Sequence, residues 1–249
     1  QSRSSAASDV YKRQDYDKLM IRTEERPLPL KKISSSSAII FTVLIGILGF
    51  YFLSLIKPHG SFFGFLSKSS VFGLLSLMIY VLSYTPLKRM STVSIFVGAI
   101  PGAIPVLLGW VAATDQFGLS VAVLFAIQFF WQFPHFISIA WTQDEQYKRA
   151  GFKMMYGGEK GSYPALIALI TASVMTLISV LPYLLDFKNL NLSFIAFCLV
   201  LLLGIWFTLK TYFLYRDTKD SSAKTLMLAS FVYLPIMQII YIADKWLAN

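Results

Sequence analysis

Seven apolar runs of about 20 residues follow one another along the chain, at 37–56, 63–84, 92–113, 119–142, 163–185, 192–213 and 225–246. Within each run the hydrophobic residues are continuous rather than alternating. The pattern therefore predicts helices that cross a bilayer, not the strands of a membrane barrel. The expected fold class is all-α, a multi-pass transmembrane bundle with seven helices present. Composition agrees: of 249 residues, 56% are hydrophobic and 14% charged, and the mean hydropathy is +0.62. A soluble domain of this length needs more polar surface than that.

A net charge of +9 would suit a nucleic-acid binder, but its distribution argues for topology instead. Only Lys57, Lys68, Lys188 and Lys245 fall on one side of the seven predicted spans, and the other 18 of the 22 Lys and Arg fall on the opposite side. Such asymmetry marks the cytoplasmic face of a bacterial membrane, so the N-terminal stretch is expected inside and the C-terminus, after an odd number of spans, outside. The partners implied are the lipid bilayer and no nucleic acid. Cys198, the one cysteine, sits in an apolar run and is expected to pack there.

Residues 1–14, QSRSSAASDVYKRQ, are polar and serine-rich, with no apolar period and no signal-peptide core. They are read as a non-native tail ahead of a single membrane domain spanning 15–249.

Three cytoplasmic segments concentrate the polar chemistry. The first, DYDKLMIRTEERP from Asp15, would place Asp17, Lys18 and Arg22 on one side of a helix. Carboxylates for Mg²⁺ beside cations for phosphate oxygens are what a diphosphate needs, although a solvated segment touching anionic lipid has the same composition. The second, YTPLKRMS, carries Lys88 and Arg89, which would also serve as ordinary membrane anchors. Gly98, Gly102, Pro105 and Gly109 follow it on one helical face, suiting close helix packing or a flat ligand. Pro101 and Pro105 are expected to bend that helix. The third, AWTQDEQYKRAG, ends a stripe of Gln128, Gln132, His135, Ser138 and Thr142. Polar groups at membrane depth are costly and by default line a cavity or a functional path. Pro134 predicts a kink beside His135.

Together, DYDKLMIRTEERPLP, YTPLKRMS with GAIPGAIPVLLGW, WQFPHF and DEQYKRAGFKMM resemble, in order and spacing, the haem O synthases (protohaem IX farnesyltransferases) among the UbiA-type intramembrane prenyltransferases. Trp-Gln-x-Pro-His-Phe is the part that separates these from quinone prenyltransferases of the same architecture. The resemblance implies nine spanning helices around a central cavity, two of them upstream of the first run here. It implies farnesyl transfer from farnesyl diphosphate to a vinyl group of haem b, a step in haem–copper oxidase biogenesis. Haem A synthase or oxidase assembly factors become possible partners. Mg²⁺ is the implied cofactor, with Asp17, Asp144 and Glu145 as its ligands. Asp17, Lys18, Arg22, Lys88, Arg89, Asp144, Glu145, Tyr147 and Lys148 are the implied catalytic set, and His135, Gln132 and Trp131 the implied haem contacts, through iron or a propionate.

The match departs from the family pattern in two places. Of the first motif, Asn-x-x-x-Asp-x-x-x-Asp, only its last Asp is matched, by Asp17, while Arg13 and Asp9 stand at the other two positions. In the second, Glu145 and Gln146 precede Tyr147 where relatives often carry an Asp pair. The expectation that follows is a chain that inserts in the membrane as written but does not turn over. A membrane transporter is the rival from another class; it would show broken helices in matching halves, whereas here only the third and fourth runs contain prolines that break them.

Overall fold

The computed structural model describes residues 18–21, 23–56, 66–185, 187 and 189–247. Asp17 and Arg22 therefore lie outside the described residues, as do the suspected tail and residues 57–65. What is described is helical: α1 (Ser35–Ser54), α2 (Lys68–Met78), a π-helical turn (Ile79–Tyr84), α3 (Thr85–Met90), α4 (Val93–Thr114), α5 (Leu119–Thr142), α6 (Asp144–Arg149), α7 (Ser162–Leu184), α8 (Phe194–Asp217) and α9 (Asp220–Leu247). Because α2, the π turn and α3 form one rod, seven helices are long and apolar enough to cross a membrane.

Local chemistry explains where the helices begin and end. Ser34, Ser67 and Ser193 cap α1, α2 and α8, each accepting a backbone N–H three residues on. Asp115, left-handed at φ 54°, closes α4, and its carboxylate pairs with Lys68 at 2.9 Å. The boundaries follow the apolar runs except on the charged side, where residues 85–90 prolong the second span as helix and the last connection is nearly all helix. Residues 214–224, expected as a loop, are helix apart from Thr218 and Lys219. Hydropathy marks only the membrane-embedded part of a helix, and charged residues extend a helix into water at little cost. Pro101, Pro105 and Pro134 lie inside helices that run on past them, and so do Pro182 in α7 and Pro235 in α9, so prolines within spans are not confined to the third and fourth runs.

Contacts divide the chain into two compact units: 1–101 with 111–115 and 143–154, and 102–110 with 116–142 and 155–249. In the first, α1 packs on α2. Ser67 donates to Leu53 O at 2.6 Å, and the bare backbone of Gly73 admits the Leu53 side chain. In the second, α5 packs on α7 and α9, α7 on α8, and α8 on α9, which closes a ring of four neighbours. Ala165, Ala168 and Ala172 line the buried face of α7, and Phe207 stacks on Tyr233 at 4.7 Å. Small residues at such contacts let helices approach without any water-driven force between them. Leu177, Leu202 and Ile239 point outward, as the lipid-facing positions of spanning helices do.

Gly204 is a tight helix approach in this second unit, because a Cβ there would lie 2.5 Å from Thr176 Cγ2. Gly204→Val is expected to destabilise the fold by about 1–3 kcal/mol through overpacking. In detergent this reads as a lower Tm. Gly109→Ala, whose Cβ would meet nothing within 4 Å, should leave Tm unchanged.

Candidate functional site

In the first unit the polar chemistry starts with the π turn. Thr85 Oγ1 donates to Tyr80 O at 3.0 Å, and the rings of Tyr80 and Tyr84 meet at 5.2 Å. Tyr84 is buried against Gly98, where any Cβ would clash with its ring, and Lys88 Nζ lies 4.1 Å above that ring. A cation over an aromatic face is held without losing its charge. Arg89 is exposed beside it.

The chain after α5 turns straight into α6, with Asp144 and Glu145 in its first turn and Lys148 and Arg149 in its last. That order suits the helix dipole. Asp144 is buried, 8% exposed, and its Oδ2 pairs with Lys148 Nζ at 2.8 Å. Glu145 is exposed, and Tyr147 packs edge-to-face with Phe152. Gly151, at φ 71°, reverses the chain so that Phe152 N bonds Tyr147 O. Lys153 N then donates to Lys88 O at 2.8 Å. One backbone bond therefore fastens the acidic segment to the basic one, and Lys88, Arg89, Asp144, Glu145, Tyr147 and Lys148 gather in one unit.

The first segment behaves differently from expectation. Residues 18–21 and 23–33 form successive turns and bends and no helix, while Asp17 and Arg22 lie outside the described residues. Thr23 N and Glu24 N share Met20 O, and Pro27 and Pro29 forbid continuation. Lys18 is exposed.

Among the described residues no three His, Cys, Asp or Glu side chains converge on a metal position. Asp144 and Glu145 nonetheless fit Mg²⁺ of one kind. That ion takes one or two carboxylates and fills its shell with water and substrate phosphate oxygens. Asp144, buried beside an ammonium, suits a metal that arrives with its phosphates.

The polar stripe lies in the second unit. Ser138 and Thr142 return their hydroxyls to His135 O and Ile139 O, so they serve the helix itself. Gln132, 3% exposed, donates from Nε2 to Gln128 O at 3.2 Å and presses its carboxamide against Gly102, where a Cβ would fall 2.0 Å from Oε1. The small-residue face is thus occupied at Gly98 and Gly102 by protein side chains, and is open at Gly109. His135 Nδ1 meets Ser230 Oγ at 2.8 Å, and its ring stacks on Trp131 at 4.5 Å. Trp131 Nε1 donates to Ser230 O at 3.1 Å.

Sequence reasoning missed Ser230, whose only signal is a small hydroxyl inside an apolar run. It also missed Asp220, whose Oδ1 accepts from buried Trp141 Nε1 and from Lys160 Nζ, both at 2.8 Å. Nearby in sequence, Tyr156 has its phenol pushed up to about 12 by burial and by Tyr163, so it stays neutral.

The UbiA prenyltransferase family matches residues 4–233. The chain belongs to that family. Among relatives within this prenyltransferase family, the protoheme IX farnesyltransferase of Flavobacterium psychrophilum is 41% identical over 244 residues, covering 97% of this chain and 78% of the relative. The protein of the same name from Cytophaga hutchinsonii is 40% identical over 230 residues, 92% of this chain and 76% of the relative. That of Sorangium cellulosum is 35% identical over 234 residues, 93% and 79%. No solved structure matches the chain. Family membership removes the transporter reading and makes the chain a membrane prenyltransferase.

The fastening of the two segments is directly testable. Lys153→Pro removes the N–H that reaches Lys88 O and is expected to cut prenyl transfer at least about tenfold, the scale of a misplaced binding group. Helix content by circular dichroism should not change.

Proposed function

We propose that this chain transfers a farnesyl group from farnesyl diphosphate to a vinyl group of haem b, forming haem O. The observation that carries the reading is the Lys153–Lys88 bond. It joins an acidic and a basic segment in a chain whose relatives are named protoheme IX farnesyltransferase.

The chemical demand is to break an allylic C–O bond while the vinyl π pair attacks the carbon released. Negative charge gathers on the departing diphosphate, and Lys88, Arg89 and Lys148 are placed to share it, with Lys18 and Arg22 added from the first segment. The Tyr84 ring holds Lys88, and Asp144 holds Lys148, so neither ammonium has to be ordered when substrate arrives. Mg²⁺, held by Asp144 and Glu145 with Asp17, would neutralise diphosphate charge when bound. The face of Tyr147 is suited to steady the allylic cation, and an apolar surround keeps water from it. His135 and Trp131 hold the acceptor, while Gln132, expected beside them, is buried against Gly102 and supports the helix instead.

The same reading places residues 15–249 as one prenyltransferase domain in the bacterial cytoplasmic membrane. The diphosphate site faces the cytoplasm, the C-terminus lies outside, and haem A synthase or oxidase assembly factors receive the product. A C-terminal reporter active only outside the cytoplasm should therefore be active, and an inactive one would reverse the orientation.

In the full-length protein, Asp144→Asn combined with Glu145→Gln should lower haem O formation at least about 100-fold, as loss of charge-stabilising groups does. Chromatography of extracted haem reads this, and the amount of inserted protein should stay unchanged. Unaltered Mg²⁺-dependent turnover would make the segment a plain connection.

A further inference from the structure

Ser230 settles which nitrogen of His135 carries the proton. It is fully buried in the middle of α9, with its Oγ 2.6 Å from Met227 O and 2.8 Å from His135 Nδ1. A serine hydroxyl has one hydrogen, and a carbonyl oxygen can only accept. At 2.6 Å that hydrogen has to point to Met227 O, because otherwise two oxygens would oppose their lone pairs. Ser230 Oγ is then the acceptor in its second bond, and Nδ1–H of His135 is the donor. In a neutral imidazole, protonation of Nδ1 leaves Nε2 with a bare lone pair. Nε2 has no partner among the described residues. The ring is held besides by its stack on Trp131 and by the edge of Phe231 at 5.1 Å, and Trp131 is itself tied to Ser230 O. Three side chains from α5 and α9 thus fix one ring in one orientation and one tautomer.

We propose that His135 Nε2 is the axial ligand of the acceptor's porphyrin iron, and that Ser230 is the positioning residue that keeps its lone pair available. The proposal rests on the reading of the acceptor as haem b. A propionate contact, the other role open to His135, requires an N–H at Nε2, since a carboxylate only accepts, and this tautomer has none there. Iron requires the opposite, a lone pair. A metal-bound histidine whose other nitrogen donates to an oxygen is the usual arrangement, because that bond sets the ring's orientation and raises its basicity. Ligation at the centre of the macrocycle would grip haem without touching its rim, where the vinyl groups react.

The test compares two porphyrins on the full chain in lipid nanodiscs: haem b and metal-free protoporphyrin IX, titrated by Soret absorbance and tryptophan quenching. Wild type should bind haem with a nitrogen-ligated iron spectrum. His135→Ala should lose that spectrum and weaken haem binding at least about tenfold, with metal-free protoporphyrin binding unchanged. Ser230→Ala should weaken haem binding by about 10-fold or more, again sparing the metal-free ring, and Ser230→Thr should restore it. Equal losses for both porphyrins in His135→Ala, or an iron spectrum that survives it, would overturn the ligation while haem remained the acceptor. Selective loss in His135→Ala with none in Ser230→Ala would overturn the positioning role. If wild type bound neither porphyrin, the haem reading would fall, and this proposal with it.

Discussion

Polar groups in hydrocarbon have no water to bond, and that constraint organises the whole molecule. It makes each span a helix, since only a helix satisfies its own backbone within one segment. It also disposes of most side-chain hydroxyls. Thr42, Thr171, Ser173, Thr176 and Thr211 each donate to a carbonyl one turn back in their own helix. Such residues are silent, polar in name but chemically spent. A group stands out only when something is left after this settlement. Ser230 retains an acceptor and spends it on His135, and the buried Gln128 Oε1 has no partner among the described residues.

The same constraint explains how much could be read from sequence. The spans were legible because continuous apolar runs have one outcome in a bilayer. Asp144, Lys148 and Lys88 were legible as residues but not as neighbours. Their meeting depends on Gly151 turning the chain and on a backbone bond at Lys153, neither of which leaves a side-chain pattern. Lys18 to Ile21 and Thr23 to Ile33 form turns and bends where a helix was expected, and Pro27 and Pro29 would not let one run on. Ser230 could not be found at all, since its role depends on a residue 95 positions away.

The chemistry divides along the units. Cations and carboxylates sit in the unit that carries the π turn and α6, while the imidazole, indole and carboxamide groups sit in the unit built on α5 and α9. Each set has its own support: Tyr84 beneath Lys88 in one, Ser230 beneath His135 in the other. In the proposed reaction a leaving group of high charge and a flat, largely apolar acceptor make different demands, which the two sets would meet separately.

The π turn at Ile79–Tyr84 has a consequence for how such a rod can diverge among relatives. A π turn takes in one additional residue, which in a plain α-helix would turn everything after it by about 100°. The sequence patterns of α2 and of the basic end, α3, are therefore offset by one position while their faces stay aligned in space. Losing a single codon within the turn would restore plain α-helix and leave Lys88 and Arg89 facing the same way, whereas losing one elsewhere in the rod would swing them a quarter-turn or more. Alignments of this region would score the two deletions alike, yet only the second displaces charge.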